Sequence, residues 1–253
     1  MTATLWRAAE TQPWEEARAQ YDAVIAGLGK DKLEELDSWF RTTLRAAIRA
    51  REPKPFVTQA ELVKLMEWKL KKGKWRPQLM KFVTSLSDEE VKRSSTSAFA
   101  ALKDGDVKKA IEALAAMKGV GPATASAVLA AYDDNVPFMG DEALEAIASI
   151  IGPRKYTLPH YLLFVEQLKQ KAAWLAKMSS EGDEWTPQRV QLCLYTEAHA
   201  KTAPATASAT TTKKAGTKRK AEEKIEVTPA ASVEEDTSAS RPRRQRRSTA
   251  KYE

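Results

Sequence analysis

Cysteine and histidine are scarce in this chain, whose 253 residues include one cysteine, Cys193, and two histidines, His160 and His199. A single cysteine cannot form an internal disulfide, which fits a reducing compartment, and it excludes a four-cysteine iron–sulfur cluster. The two histidines are far apart in sequence and have no partner ligands at metal-binding spacing, so no zinc site is predicted. We therefore expect neither a metal nor another cofactor.

Long apolar runs are also missing, because charged residues interrupt the chain well before the roughly 20 apolar residues that a membrane-spanning helix needs. The first 28 residues do not resemble a secretory signal, since they contain Arg7, Glu10, Glu15, Glu16 and Arg18 among their charged side chains. No glycine-rich nucleotide-binding loop of the P-loop or dinucleotide type is present. These absences predict no association with a membrane and no nucleotide cofactor.

Apolar residues recur at spacings of three and four through the first 200 residues, and no convincing alternating pattern predicts a strand. The sequence therefore predicts an all-α domain over residues 1–200, a multi-helix bundle of about nine helices. The predicted helices cover residues 14–28, 33–51, 58–71, 88–102, 107–117, 123–132, 142–151, 158–177 and 187–200.

The composition changes at about residue 201, beyond which Ala, Thr, Ser, Lys and Arg dominate without apolar periodicity. Residues 201–253 are therefore predicted to be a disordered basic tail. Counting charges over this segment gives +6 of the total of +7, so the basic character of the chain comes mostly from the tail.

Two basic clusters stand out in this tail. Lys213 and Lys214 precede Lys218-Arg219-Lys220 at the spacing of a bipartite signal, and a second cluster covers residues 241–247. Both resemble nuclear import signals, although basic runs are common in such tails. They predict a location in the nucleus and a nuclear import receptor as a partner.

Two glycines separated by one apolar residue join two helical patterns near the middle of the chain. Gly119 and Gly121 can take positive φ and bring the main chain close to a ligand, and Pro122 suits the first turn of the next helix. The free N–H groups and positive end of that helix are suited to bind a phosphate.

This segment resembles the helix–hairpin–helix motif, and more narrowly the helix–hairpin–helix/Gly-Pro-Asp superfamily of DNA base-excision glycosylases. The motif-based resemblance covers about residues 105–152, where a proline-containing loop after the hairpin leads to Asp141. It implies duplex DNA as the partner, held by the hairpin through Lys118, Gly119, Val120, Gly121, Ala123 and Thr124. It also implies that Asp141 is the catalytic carboxylate.

The chain departs from the family at three positions. Bifunctional members carry a lysine, which forms a Schiff base, where this chain has Ala123, so the resemblance implies a monofunctional enzyme. Gly140 and Ala146 replace the valine and arginine that often flank the family's aspartate. An ionised Asp141 could stabilise positive charge on the sugar and orient water, but aspartate is also a preferred helix N-cap. Both interpretations of Asp141 stay open.

The densest positive segment of the predicted domain runs from Lys64 to Lys81 and has a net charge of +6. Gly73 and Pro77 predict an exposed turn within it. Three basic residues there, with Trp75, are candidates for phosphate contacts and base stacking: Lys72, Lys74 and Arg76. Trp68 continues a helical apolar stripe and is interpreted as a core residue, whereas Trp75 fits a core or a binding role equally well.

Three functional classes remain open from the sequence. The first is a monomeric, monofunctional DNA glycosylase that hydrolyses the bond to a flipped damaged or mismatched base. The second is a catalytically inactive helix–hairpin–helix protein that binds DNA in the nucleus. In the third, the hairpin serves only helix packing in a protein-interaction domain.

Overall fold

The computed structural model describes residues 4–179 and 184–200. Within these ranges the chain is helical and contains no strand, which confirms the prediction of an all-α fold. The elements, in chain order, are a short 3₁₀ turn (Leu5–Arg7), α1 (Gln12–Gly27), α2 (Leu33–Trp39), a π-helical turn (Phe40–Leu44), α3 (Arg45–Arg49), α4 (Gln59–Lys72), α5 (Pro77–Thr84), α6 (Asp88–Lys103), α7 (Val107–Ala115), α8 (Pro122–Tyr132), α9 (Asp141–Ala146), α10 (Ala148–Ile151), α11 (Leu158–Met178) and α12 (Pro187–His199).

The observed helices differ from the predicted ones at three places. The predicted helix over 33–51 contains the π-helical turn between α2 and α3, and the predicted helix over 142–151 is divided into α9 and α10. A separate helix, α5, begins at Pro77, where the sequence indicated a helix start. None of the helices in the described ranges has the length and apolar character needed to cross a bilayer.

Local sequence signals explain several helix starts. Thr58 and Glu61 form a capping box, in which each side chain bonds the other residue's backbone N–H at the start of α4. Ser87 caps α6 by accepting from the Glu90 N–H at 3.1 Å. Such caps satisfy N–H groups that have no partner inside the helix.

One apolar core joins the helices. Its largest fully buried side chains are aromatic and come from five helices and the π-helical turn: Trp14, Phe40, Trp68, Phe99, Tyr161, Phe164 and Tyr195. α1 packs on α12, α6 on α7, and α4 on both α5 and α8. α4 thereby lies beside α8, whose first residue follows the glycine hairpin, and this contact positions the candidate site.

The predicted tail, residues 201–253, lies outside the described residues. Both predicted import signals, residues 213–220 and 241–247, belong to it. Nuclear location therefore stays a prediction from sequence.

Candidate functional site

The hairpin between α7 and α8 depends on Gly119. Its φ of +83° lies in the region that favours glycine. A Cβ at this position would come within 2.4 Å of the Phe82 Cβ on α5. Gly119 is therefore required twice, once by its backbone conformation and once by the close approach of α5.

Gly121 serves a different purpose, and the expectation that it takes positive φ was wrong. It is the N-cap of α8, with an extended backbone at φ −96° and ψ −178°. A Cβ built there meets no heavy atom within 4 Å. The fold tolerates a side chain at this position, so the glycine leaves open space in front of the helix.

Between Gly119 and Thr124, three amide groups have no hydrogen-bond partner within the part of the chain that is described: Gly119, Gly121 and Ala123. Two other expected donors are already used, because the N–H of Val120 donates to Met117 O and that of Thr124 donates to Gly121 O. Val120 and Thr124 are also buried. The predicted amide set is therefore corrected to three groups, at the positive end of α8.

A cleft of about 240 Å³ opens in front of these amides. It brings together eight of the eleven residues that the sequence singled out: Lys72, Lys74, Arg76, Gly119, Gly121, Ala123, Thr124 and Asp141. The other three, Lys118, Val120 and Trp75, do not line it. Residues from α4, the α4–α5 loop, the hairpin and α9 thus converge on one concave surface.

Asp141 is the first residue of α9, and Gly140 occupies the N-cap position. Because Gly140 is the N-cap, the interpretation of Asp141 as an N-cap was wrong. Instead, Oδ1 accepts a 2.8 Å hydrogen bond from the Tyr156 hydroxyl, and Oδ2 lies 3.3 Å from Nη1 of Arg154. The carboxylate is held by two side chains from the segment between α10 and α11.

Lys72 does not lie in an exposed turn, which corrects the sequence-based prediction. Its side chain is 3% exposed and its Nζ lies 3.2 Å from Oδ1 of Asp37. The ammonium also donates to the Tyr21 hydroxyl and lies 3.9 Å from the ring centroid of Tyr195. These partners leave no room for a phosphate on Lys72, although other atoms of the residue contribute to the cleft wall.

The loop between α4 and α5 is exposed as predicted. Lys74 and Arg76 line the cleft, and Trp75 between them is 52% exposed at its edge. Trp75 is thus not a core residue. Lys118 is exposed beside the hairpin, with its Nζ 5.1 Å from the centroid of the Phe82 ring. The α4–α5 loop therefore supplies two cations to the cleft and carries one exposed aromatic ring between them.

The inner wall of the cleft is apolar and aromatic. Phe138 lines it and lies 5.2 Å, centroid to centroid, from the buried Trp68. Trp68 stacks on Phe40 at 3.8 Å and donates its indole N–H to Asp37, which confirms its interpretation as a core residue. The cleft wall thus rests on a fixed aromatic stack.

Sequence reasoning missed three residues of the site: Lys69, Arg154 and Tyr156. Lys69 belongs to the basic segment and lines the cleft, but nothing in the sequence distinguishes it from its neighbours. Burial, together with the hydrogen bond to Asp141, raises the pKa of Tyr156 to about 12, so its hydroxyl stays a donor at neutral pH. No motif surrounds Arg154 or Tyr156 that could have indicated either of them.

Glu142 is the second carboxylate of the cleft. Its Oε1 lies 3.2 Å from Nε2 of His199 on α12. Burial acts to raise the pKa of Glu142, but the contact with His199, a backbone hydrogen bond and the charge of Lys72 together hold the pKa below its ordinary value. No group of three His, Cys, Asp or Glu side chains suited to hold a metal occurs in residues 4–179 and 184–200.

Comparisons with protein-family models, curated proteins and solved structures gave no match for this chain. The resemblance to base-excision glycosylases therefore depends on the hairpin and on Asp141 alone.

Proposed function

We propose that this protein binds duplex DNA through the hairpin and the α4–α5 loop, and that it hydrolyses the N-glycosidic bond of a base drawn into the cleft. One observation supports this most directly: the unpaired amides of Gly119, Gly121 and Ala123 line the same cleft as the carboxylate of Asp141. In bound DNA, a phosphate and the reacting sugar would lie one nucleotide apart. The amides could bind the phosphate, and the carboxylate could act on the sugar.

The binding half of this proposal uses backbone amides and cations. Amides at a helix N-terminus favour an anion, and Lys74 and Arg76 add positive charge to the same cleft. Such contacts hold the phosphate backbone without reading sequence. Trp75, exposed between the two cations, can stack on a base that has left the duplex.

The size and lining of the cleft suit one base. Its volume of about 240 Å³ lies just below the roughly 300–1,000 Å³ typical of drug-sized sites. Leu70, Leu79, Phe138 and Met139 supply an apolar lining. An extruded base could be held there against apolar and aromatic side chains, as enzymes that act on a flipped base require.

The chemical half of the proposal assigns one role to Asp141. As the C1′–N bond breaks, its electron pair leaves with the base and positive charge develops on the sugar, which a nearby carboxylate stabilises. Water then adds to C1′, its proton passes to Asp141, and the released base takes up a proton. Arg154 and Tyr156 hold the carboxylate in place. Hydrolysis alone makes the enzyme monofunctional, in line with Ala123.

A second function is favoured by the same contacts. Both oxygens of Asp141 are engaged, by Arg154 and Tyr156, as they would be in a carboxylate with a structural role. The alternative is a non-catalytic protein that uses the hairpin for DNA binding in the nucleus. In that protein Asp141 would serve only to fix the segment between α10 and α11 against α9.

A measurement of base release distinguishes the catalytic function from the non-catalytic one. The full chain is incubated with duplexes that each carry one lesion or mismatch, and abasic sites are revealed by strand cleavage in mild alkali. We expect one substrate to be cleaved by the wild type and by Glu145→Gln, but not by Asp141→Asn. Glu145 is a matched control because it lies on α9 and also faces Arg154, at 3.4 Å.

Duplex binding by all three proteins without base release from any substrate would support the non-catalytic function. Loss of binding as well would leave the hairpin as a packing element.

Import into the nucleus is proposed from the basic clusters of residues 213–220 and 241–247, and deletion of both clusters in a fluorescent fusion tests it.

A further inference from the structure

Three tryptophan rings surround the ammonium group of Lys171 on α11. Its Nζ lies 4.5 Å from the ring centroid of Trp174, 5.0 Å from that of Trp6 and 5.6 Å from that of Trp14. An ammonium within about 6 Å of a ring centroid is attracted to the face of the ring. The planes of Trp6 and Trp14 meet at 69°, so these two rings form a corner around the cation. We call these four residues the Lys171 cage.

The Lys171 cage is assembled from both ends of the described chain. Trp6 belongs to the 3₁₀ turn, Trp14 to α1, and Lys171 and Trp174 lie one turn apart on α11. Trp14 is fully buried, whereas the rings of Trp6 and Trp174 are half-buried and reach the protein surface. None of the four residues lines the cleft that holds Asp141. The cage is therefore a second feature of the molecule, separate from the candidate site.

The ammonium of Lys171 has few polar partners. It has three N–H donors, and it donates one hydrogen bond, to the backbone oxygen of Trp6 at 3.2 Å. Within the part of the chain that is described, it makes no other hydrogen bond and no ion pair. Two of its three N–H positions therefore have aromatic rings around them instead of an acceptor in the protein.

The spacing of the rings suits an amine that carries two methyl groups. A carbon bonded to nitrogen lies about 1.5 Å from it. A methyl carbon directed from Nζ at Trp6 or Trp14 would thus lie roughly 3.5–4 Å from the ring, which is ordinary van der Waals contact. Methylation keeps the positive charge that the rings attract. The one remaining N–H can still donate to the backbone oxygen of Trp6.

We propose that Lys171 is a methylation site and that the cage holds its dimethylated form. Aromatic cages are general receptors for methylated ammonium groups, and here the cage holds a side chain of its own chain. The modification requires a lysine methyltransferase and a methyl sulfonium donor of the S-adenosylmethionine class. The inference uses no residue of the cleft and does not depend on the proposed function.

Each methyl transfer is a substitution at carbon. The Lys171 ammonium releases a proton to solvent, and burial favours this step because it lowers the pKa of Lys171. The nitrogen lone pair then forms a bond to the methyl carbon, while the carbon–sulfur bond breaks and leaves its electron pair on a neutral thioether. A second proton release and transfer give the dimethylammonium. The flexible lysine stem can present the amine to the enzyme because two of the cage rings reach the surface.

Peptide mass mapping of the full chain isolated from its own cells tests this proposal directly. We expect two methyl groups on Lys171 in most copies and none on Lys169 or Lys177, two exposed lysines of the same helix. A Lys171 that is mainly unmodified, monomethylated or trimethylated would overturn the proposal. So would equal methylation of all three lysines, since the cage would then confer no selectivity.

A second measurement tests the fit of the cage. Lys171→Cys is alkylated to give lysine analogues that carry no, two or three methyl groups. Cys193 is the only native cysteine and is buried, which raises its pKa to about 12, so it does not compete for the reagent. We expect the thermal midpoint of the dimethyl analogue to exceed that of the unmethylated analogue by about 1–4 °C. The trimethyl analogue should gain less, because it has no N–H for the oxygen of Trp6.

The same alkylation series at the exposed position of Lys177 is the matched control and should leave the midpoint unchanged. A dimethyl analogue at position 171 that is no more stable than the unmethylated one would overturn the fit. Mass mapping needs no variant, so the proposal stays testable even if Lys171→Cys folds poorly.

A peptide that carries one dimethyl-lysine tests the other possible occupant of the cage. We expect no binding to the wild type in a titration followed by tryptophan fluorescence, because Lys171 fills the cage. Binding that displaces Lys171 would assign the cage to a partner protein and overturn the proposal.

Discussion

The hydroxyl of Tyr156 donates a 2.8 Å hydrogen bond to Oδ1 of Asp141. The two residues are 15 positions apart, and the bond ties the loop before α11 to the first residue of α9. It fixes the carboxylate in the orientation that places it in the cleft. The pair therefore offers a way to perturb the site without altering its charge.

Tyr156→Phe should lower base release by about tenfold while duplex affinity stays the same, because only the orientation of Asp141 changes. The measurement is the single-turnover rate against the dissociation constant for the same duplex. Tyr132→Phe, a change far from the cleft, is the control. A parallel fall in affinity would show that Tyr156 contacts DNA directly.

Gly119→Ala should destabilise the fold, because alanine is strained at positive φ and its Cβ would collide with Phe82. We expect a loss of about 1–3 kcal/mol, which at this chain length lowers the thermal midpoint by roughly 2–4 °C per kcal/mol. Thermal unfolding followed by circular dichroism measures it. A midpoint equal to that of the wild type would mean that α5 shifts away at little cost.

Gly121→Ala is the matched change, and we expect the opposite pattern. Its backbone and surroundings accept a methyl group, so stability should be unchanged or slightly higher. The methyl group enters the space before the free amides, and duplex affinity should fall by about tenfold, or about 1.4 kcal/mol. Fluorescence anisotropy with a labelled duplex measures it. An unchanged affinity would show that the hairpin amides do not contact the DNA.

Lys74→Gln and Arg76→Gln should each weaken duplex binding and reduce the slope of log K against log salt by about 0.9, the value for one phosphate contact. Lys72→Met should leave that slope unchanged and lower stability by about 1–3 kcal/mol, because the buried Asp37 carboxylate loses one of its two cationic partners and keeps Arg41. Binding titrations between low and high salt give the slopes. A smaller slope for Lys72→Met would indicate that Lys72 contacts a DNA phosphate after all.

The ionisation of Asp37 makes the free energy of unfolding depend on pH in the acid range. Burial acts to raise its pKa, but Lys72, the Trp68 hydrogen bond and Arg41 together hold the pKa below its ordinary value. In the unfolded chain an aspartate has a pKa of about 4. The stabilisation is therefore complete above about pH 4 and is lost as the pH falls through the lower, folded pKa.

Thermal midpoints between pH 7 and pH 2 measure this dependence. Asp37→Asn should flatten the acid limb, because the variant has no carboxylate to protonate at this position. Asp22→Asn is the control, since Asp22 also pairs with Arg41 but is 76% exposed. An acid limb that stays as steep in Asp37→Asn would assign the effect to other carboxylates, such as Glu142.

The helical periodicity predicted the fold class and most helix positions because each helix buries one apolar face. The hairpin and Asp141 were recognisable because their residue types and spacing are local. Lys72 was misplaced because its inward orientation depends on Asp37, 35 positions earlier in the chain. Tyr156 and Lys69 were missed for the same reason, since only the packing of α4 and of the α10–α11 segment brings them to Asp141.

The contact between Gly119 and Phe82 also bears on the shape of the cleft. Phe82 belongs to α5, which begins directly after Arg76, so one contact links the hairpin to the helix that carries the basic loop. The contact with Phe82 therefore limits how closely α5 and the hairpin approach each other. A smaller residue at position 82 would alter the distance between the hairpin and the α4–α5 loop, and with it the spacing of DNA phosphates that could fit between them. Every candidate ligand-binding group would stay in place.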